Sequence, residues 1–333
     1  MGGDRSMPEA GRWGGTLLKV AVSAAAAAIV LSRVDAGALL GVLGRADARG
    51  VVLTLVLYLV GQLVTAYRWQ LIARRVGFGE RTTKVFLYYY IGMFFNLFGP
   101  STLGGDLARA LYLGGASGRR AAALHTVVLD RAVGMVMLIV VAVAAMALFG
   151  RMGVPAPAAY LTAAVGVAVA VVWWALPPLS RMVLSSGHRW RRVIEDELSG
   201  LWRDPSLFGR ITLISIFFHV LQISALVLLG KAVGVPVPWQ YYFVFHPLVT
   251  VLSAIPVSLA GLGIRELGYV YFLSDLHHAP REAALALALL WLGVLVTSSL
   301  VGGLAFLASG GTLPSLRSRA ADQPSEAQRP SSS

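Results

Sequence analysis

The sequence predicts an all-α polytopic membrane protein, an inverted repeat with three spans plus one re-entrant helical hairpin per half. Three observations carry this. The 333 residues are 57% apolar and only 13% charged, about half the charged fraction of a soluble domain, with a mean hydropathy of +0.72. Long uncharged runs alternate with arginine-rich connections, the pattern of membrane helices and their loops. Two Pro/Gly-broken stretches, Pro100 to Arg109 and Pro256 to Arg265, align without a gap at a shift of 156 residues. Pro100 then meets Pro256, Leu103 meets Leu259, Gly105 meets Gly261, Arg109 meets Arg265 and Leu111 meets Leu267.

Residues 1–14 form a polar, cytoplasmic segment with Arg5 and Arg12, and the membrane domain covers 15–310. Repeat 1 runs over about 15–150 and repeat 2 over about 157–308. The first span is Thr16 to Leu31; its basic start and small residues near Ala36 also fit a cleaved signal peptide, but the repeat needs this segment. The second span, Gly50 to Tyr67, ends in Tyr67-Arg68-Trp69, residue types suited to the interface. Hairpin A covers Val85 to Leu113, and each of its halves is shorter than the roughly 20 residues a spanning helix needs. The third span is Asp130 to Phe149 and the fourth Ala158 to Leu176, stopped by Pro177-Pro178. Residues 179–206 are polar and read as a surface helix or a solvated loop. Leu207 to Leu229 is the fifth span, Trp239 to Leu273 hairpin B, and Ala283 to Leu307 the sixth span. The tail 311–333 is rich in Ser, Pro, Ala and Arg and is expected to be disordered and cytoplasmic.

Charge orients the chain. With the N-terminus inside, the inner segments hold 20 Lys and Arg against six outside, so both termini are expected in the cytoplasm of a cell with this protein in its inner membrane. The same placement accounts for the net charge of +12 without nucleic acid. With no cysteine, disulfides and thiolate metal sites are excluded. Three crossings per half is an odd number, so the second half inserts upside down. Hairpin A enters from one side and hairpin B from the other, which points to a transporter's central binding site.

Backbone outside a helix is tolerated at membrane depth only beside protein or a wet cavity. The breaks at Gly99, Pro100, Gly104 and Gly105, and at Pro256, Gly261 and Gly263, therefore imply such a cavity. Ser101, Thr102 and Ser258 are suitable N-cap residues at the tips, where helix N-termini favour an anion. Asp106 and Arg109 are three apart and can face the same way, whereas Arg265 and Glu266 are adjacent and must diverge. An arginine near the membrane centre costs about 2.5–3.5 kcal/mol on insertion scales. Two readings stay open for the pair: they grip a phosphate, or local carboxylates neutralise them and they lock the hairpins. Asn96, one turn before the break, is a further cavity candidate. Asp130-Arg131 at the start of the third span anchors that helix beside hairpin A or contacts substrate. His219 and Gln222 share a face of the fifth span, suited to interhelical hydrogen bonds, with His246 similar. Asp275, His277 and His278 only loosely resemble a metal cluster. No metal, cofactor or catalytic residue is expected.

At these residues the chain resembles the flippase-like membrane region of lysylphosphatidylglycerol synthases. The resemblance is carried by Tyr67-Arg68-Trp69, by Pro100 through Gly104-Gly105-Asp106 to Arg109, by Asp130-Arg131, and by Gly261-Leu-Gly-Ile-Arg-Glu266. It implies movement of a phospholipid or lipid-linked headgroup between leaflets. It does not imply synthase activity, which in that family resides in an additional soluble domain. The expected function is translocation of an anionic phospholipid or polyprenyl-phosphate-linked headgroup, held alternately by Arg109 and Arg265. Two alternatives remain: a membrane-embedded transferase using Asp106 or Glu266 as general base, and a non-transporting partner of a lipid or envelope biosynthetic complex. The expected partners are a membrane lipid as substrate, and a second copy of the chain or a lipid-biosynthesis enzyme.

Overall fold

The computed structural model describes residues 24, 25, 28, 29, 32, 34–98, 103–115, 117–149, 154–183, 204–255, 258 and 261–311. The expected first span lies almost wholly outside the described residues, as do Gly99, Pro100, Ser101, Thr102, Pro256, the polar stretch 184–203 and the tail beyond 311. The helices are α1 Ala36–Arg45, α2 Ala48–Arg75, α3 Thr82–Phe98, α4 Gly104–Gly115, α5 Arg120–Phe149, α6 Ala156–Val183, α7 Pro205–Ala232, α8 Trp239–Ala254, α9 Ile264–Val270 and α10 Arg281–Ala308. A π-helical turn, Tyr271–Asp275, continues α9. No strand occurs among the described residues. By length and composition α2, α5, α7 and α10 can each cross a membrane.

Local chemistry sets the starts of these helices. Asp47 caps α2 by accepting from Arg49 and Gly50 N–H groups, and Asp204 caps α7 from Leu207 N–H, with Pro205 in the first turn. Asp35 caps α1 in the same way, 2.6 Å from Ala38 N. The sequence reading placed α1 in an outer connection, because ten residues are too short to register as a span.

The polarity of α2 is reversed relative to a soluble helix. Val52, Val56, Val60, Leu63 and Tyr67 are exposed on one stripe, while Thr54, Gln62, Thr65 and Arg68 are buried. That is the arrangement for a helix with lipid outside and polar groups facing the protein. It also corrects the reading of Tyr67-Arg68-Trp69 as an interface. Only Tyr67 lies on the outer stripe; Arg68 and Trp69 are 3% and 0% exposed, and α2 runs on to Arg75. The third span is likewise longer than expected. It starts at Arg120, so Asp130 and Arg131 lie inside α5 rather than at its mouth, about 15 Å along the axis.

α2 and α7 pack antiparallel through the centre. Asp47 N–H donates to Ala232 O at 3.0 Å, Thr54 Oγ1 to Ala225 O at 3.2 Å, and Arg68 Nη1 to Ser215 Oγ at 3.1 Å, so one number falls as the other rises. The 156-residue shift carries α2 onto α7, α3 onto α8, α4 onto α9 and α5 onto α10, with starts displaced by one to five residues. Packing follows the same exchange. α3 lies against α10, and α8 lies against α5. The long arm of each hairpin is thus held by the other half's last helix.

Glycines permit the closest crossings. A Cβ on Gly105 would collide with the carbonyl oxygen of Gly92 across hairpin A, and one on Gly302 with the carbonyl oxygen of Tyr90, where α10 meets α3. Gly293, also in α10, faces open space. Gly302→Ala is therefore expected to lower stability by about 1–3 kcal/mol by overpacking, whereas Gly293→Ala is neutral or slightly stabilising. Tryptophan-fluorescence thermal unfolding in detergent checks the pair.

Candidate functional site

A cavity of about 470 Å³ lies between the two halves. Tyr58, Gln62 and Thr65 from the middle of α2 line it, as do Phe218, His219 and Gln222 from the middle of α7. Each of these helices has 28 residues, about 42 Å, so the cavity sits roughly 20 Å from either end. Asn96, Leu97 and Leu103 reach it from the tip of hairpin A, and Ser253, Ala254 and Arg265 from that of hairpin B. Arg109 and Arg265, matched in the sequence, line this one cavity.

The first-half wall is a chain of alternating charges. Asp130 Oδ1 accepts from Arg68 Nε at 2.9 Å and pairs with Arg68 Nη2 at 2.8 Å. Its Oδ2 lies 3.5 Å from Arg109 Nη1. Arg109 Nη2 donates to Asp106 Oδ1 at 2.9 Å, the pairing expected from their spacing. Asp106 Oδ2 is paired with Arg131 Nε. The order is Arg68, Asp130, Arg109, Asp106, Arg131, three cations to two anions, from a deeply buried end to a half-exposed one. The Arg109 guanidinium also stacks on Tyr89 and Trp69, 4.8 and 5.1 Å from the ring centroids, and such contacts stabilise a desolvated cation.

Sequence reasoning missed Arg68 as the anchor of this chain. Its signal was an arginine on the face of α2 that also carries Gln62 and Thr65, visible once the helix is extended past Tyr67. Asp130 does what the anchoring reading expected, tying α5 to hairpin A through Arg109. Positions matching Arg68, Asp106, Asp130 and Arg131 in the second half hold Ser224, Leu262, Ala286 and Leu287. The charge chain therefore belongs to the first half alone.

The described residues beside each hairpin tip carry their own capping chemistry. In hairpin A, Asn96 Oδ1 accepts the Gly105 N–H at 3.0 Å, so the α4 N-terminus is capped from the opposite arm. The expected caps there, Ser101 and Thr102, lie outside the described residues. In hairpin B, Gly261 and Gly263 adopt φ of +78° and +82°, which favours glycine. Glu266 Oε2 reaches back to accept Gly263 N–H at 2.6 Å. Gly263 is thus the N-cap of α9, and the expected cap Ser258 is buried away from it, because the Gly-x-Gly turn delays the helix start. Glu266 and Arg265 diverge as their adjacency required: the carboxylate binds its own tip, and the guanidinium lines the cavity. Neither Asp106 nor Glu266 lines the cavity: Asp106 pairs with the lining Arg109 and Arg131, and Glu266 binds the Gly263 turn.

His219 and Gln222 make interhelical hydrogen bonds, to Gly134 O at 2.9 Å and Tyr58 O at 3.4 Å, and both line the cavity. His246 Nδ1 lies 3.1 Å from the Tyr269 hydroxyl and joins the arms of hairpin B. Asp275 pairs with Arg281 at 3.0 Å. Among the described residues no cluster of three His, Asp or Glu side chains is suited to a metal ion.

Removing one member of a buried ion pair leaves the other uncompensated, at about 3–5 kcal/mol. Asp130→Ala is expected to destabilise by that order, since Arg68 is 3% exposed. The Arg68→Leu, Asp130→Leu double variant is expected to recover most of the loss, as apolar replacement of a whole pair is often near neutral. Thermal unfolding of both variants in detergent measures the difference.

Residues 16–302 match the family profile described as Lysylphosphatidylglycerol synthase TM region. No curated protein matches the chain. The matched span contains both broken hairpins, the Arg68–Asp130 pair and the Gly-x-Gly-x-Arg-Glu turn. The fold and the central cavity are thus those of a chain that belongs to the lysylphosphatidylglycerol synthase TM region family.

Proposed function

We propose that the protein is a lipid translocase that passes an anionic headgroup through the central cavity while the acyl or prenyl tails stay in lipid. The observation that carries this reading is one cavity, deep between two broken hairpins, lined by Arg68, Arg109, Arg131 and Arg265 with Asp130 as the only lining carboxylate among the described residues. A guanidinium fork suits a phosphate. Arg109 is braced by two carboxylates and two aromatic rings, so it holds its position while contributing charge. Arg265 comes from the opposite hairpin, and the phosphate passes between the two.

Transport is favoured over transferase chemistry by Asp106. Both of its oxygens are engaged by arginines, which leaves it poorly placed as a general base. The substrate is a phospholipid or a polyprenyl-phosphate-linked headgroup. In liposomes containing labelled anionic lipid, Arg265→Gln is expected to slow leaflet exchange by at least about tenfold, the scale for loss of one charged hydrogen bond at 1.5–3 kcal/mol. Exchange equal to the wild type removes the phosphate reading.

The antiparallel α2 and α7 and the exchanged hairpins support an inverted repeat, and the charge bias between the connections supports cytoplasmic termini. Arg68 and Arg131 belong to the cavity rather than to loops, yet the inner side still holds eighteen Lys and Arg against six. Because the chain has no cysteine, single-cysteine labelling tests this directly. Lys84→Cys, before hairpin A, is expected to react with an impermeant maleimide only after permeabilisation, and His278→Cys, after hairpin B, in intact cells. Labelling of both from one side rules out opposed hairpins.

A further inference from the structure

Beside its arginines the cavity is lined by neutral groups, and several of their polar atoms have no partner among the described residues. Gln62 is 6% exposed and lines the cavity, yet its amide makes no hydrogen bond among the described residues. The Tyr58 hydroxyl, on a residue 9% exposed, is likewise unbonded. Gln222, 5% exposed, uses only its amide nitrogen, on the Tyr58 carbonyl. Ser253 Oγ at the tip of hairpin B is buried without a partner. Ser253 Oγ, cut off from water, costs about 1–3 kcal/mol if left unsatisfied; the other groups open onto the cavity, and together they suit an occupant with donors and acceptors of its own. Beside them lies Trp291, edge-on to Tyr58 and to His246 with centroids 5.6 Å away in each case.

The chemistry of this wall selects among headgroups. Amide, hydroxyl and indole groups complement hydroxyl groups on a carbon ring. An ammonium group finds no counter-charge here. Both oxygens of Asp130 are engaged by Arg68 and Arg109, and the remaining charged lining residues are arginines.

We propose that this wall is a subsite for a neutral polyhydroxylated group, a sugar or cyclitol joined to the lipid through the phosphate, and that the cavity rejects ammonium-bearing headgroups. The inference rests on the phosphate reading above and adds what the phosphate carries. Gln62 donates to and accepts from ring hydroxyls, Tyr58 and Ser253 supply further bonds, and Trp291 packs on the ring's C–H face.

The test uses the full chain in detergent, equilibrated with equimolar phosphatidylinositol, phosphatidic acid, phosphatidylethanolamine and lysyl-phosphatidylglycerol, with retained lipids quantified by mass spectrometry. The wild type is expected to retain phosphatidylinositol about fivefold over phosphatidic acid, which offers the phosphate alone, and to retain neither ammonium lipid. Gln62→Leu and Tyr58→Phe are each expected to reduce that preference by about threefold while leaving retention of phosphatidic acid unchanged, which also reports that the variants are folded. Equal retention of phosphatidylinositol and phosphatidic acid by the wild type shows that water alone satisfies the wall and overturns the subsite, while leaving the phosphate reading in place. Preferential retention of lysyl-phosphatidylglycerol, or an unchanged preference in both variants, also overturns it. Retention of neither phosphatidylinositol nor phosphatidic acid overturns the phosphate reading and the subsite together.

Discussion

The structure depends on keeping arginines charged in the middle of a lipid-facing helical protein. An isolated cation there is expensive, and a single ion pair is a weak remedy because both partners lose their water. Here the remedy is a chain in which each carboxylate serves two guanidinium groups, Asp130 between Arg68 and Arg109, and Asp106 between Arg109 and Arg131. The chain ends at a half-exposed arginine, so one unit of positive charge remains at the cavity. Helix lengths, the reversed polarity of α2 and the close packing of α4 all serve to bring these five residues from three helices together.

The backbone is close to symmetric and the chemistry is not. Matching helices start within a few residues of each other under the 156-residue shift, and each hairpin leans on the opposite half's last helix. The first half supplies the charge chain and, from α2, the neutral Tyr58, Gln62 and Thr65. The second supplies Arg265, a Gly-x-Gly turn locked by Glu266, and the histidine and tryptophan groups around Trp291.

The match of Arg109 with Arg265 was legible because a charged residue in an apolar run stands out in any reading of composition. Asp106 with Arg109 was legible because helical spacing alone places them on one face. The separation of Glu266 from Arg265 followed from adjacency. By contrast, Arg68 read as an interface residue, since it follows a tyrosine at what looked like the end of a span. The extra turns of α2 carry Arg68, Arg74 and Arg75, and those of α5 are cut off from the long apolar run by Asp130-Arg131, so a hydropathy pattern stops at those charges. α1 escaped notice for a related reason: its Asp35 cap and leucines are sufficient for a helix but its length is not that of a span.

By itself the sequence determined that this chain is helical, lives in a membrane, and repeats a broken hairpin with an arginine at the same place. Those properties rest on composition, on periodicity and on local backbone chemistry, all of which act between near neighbours. Only the tertiary structure decided that Asp130 is shared by arginines 62 residues before it and 21 residues before it in the chain, and that Gln62 and Tyr58 are left unpaired beside Trp291. Those facts depend on how α2, α5 and α7 cross. The crossings are set by the summed fit of many apolar and glycine contacts, and no short stretch of sequence encodes that fit.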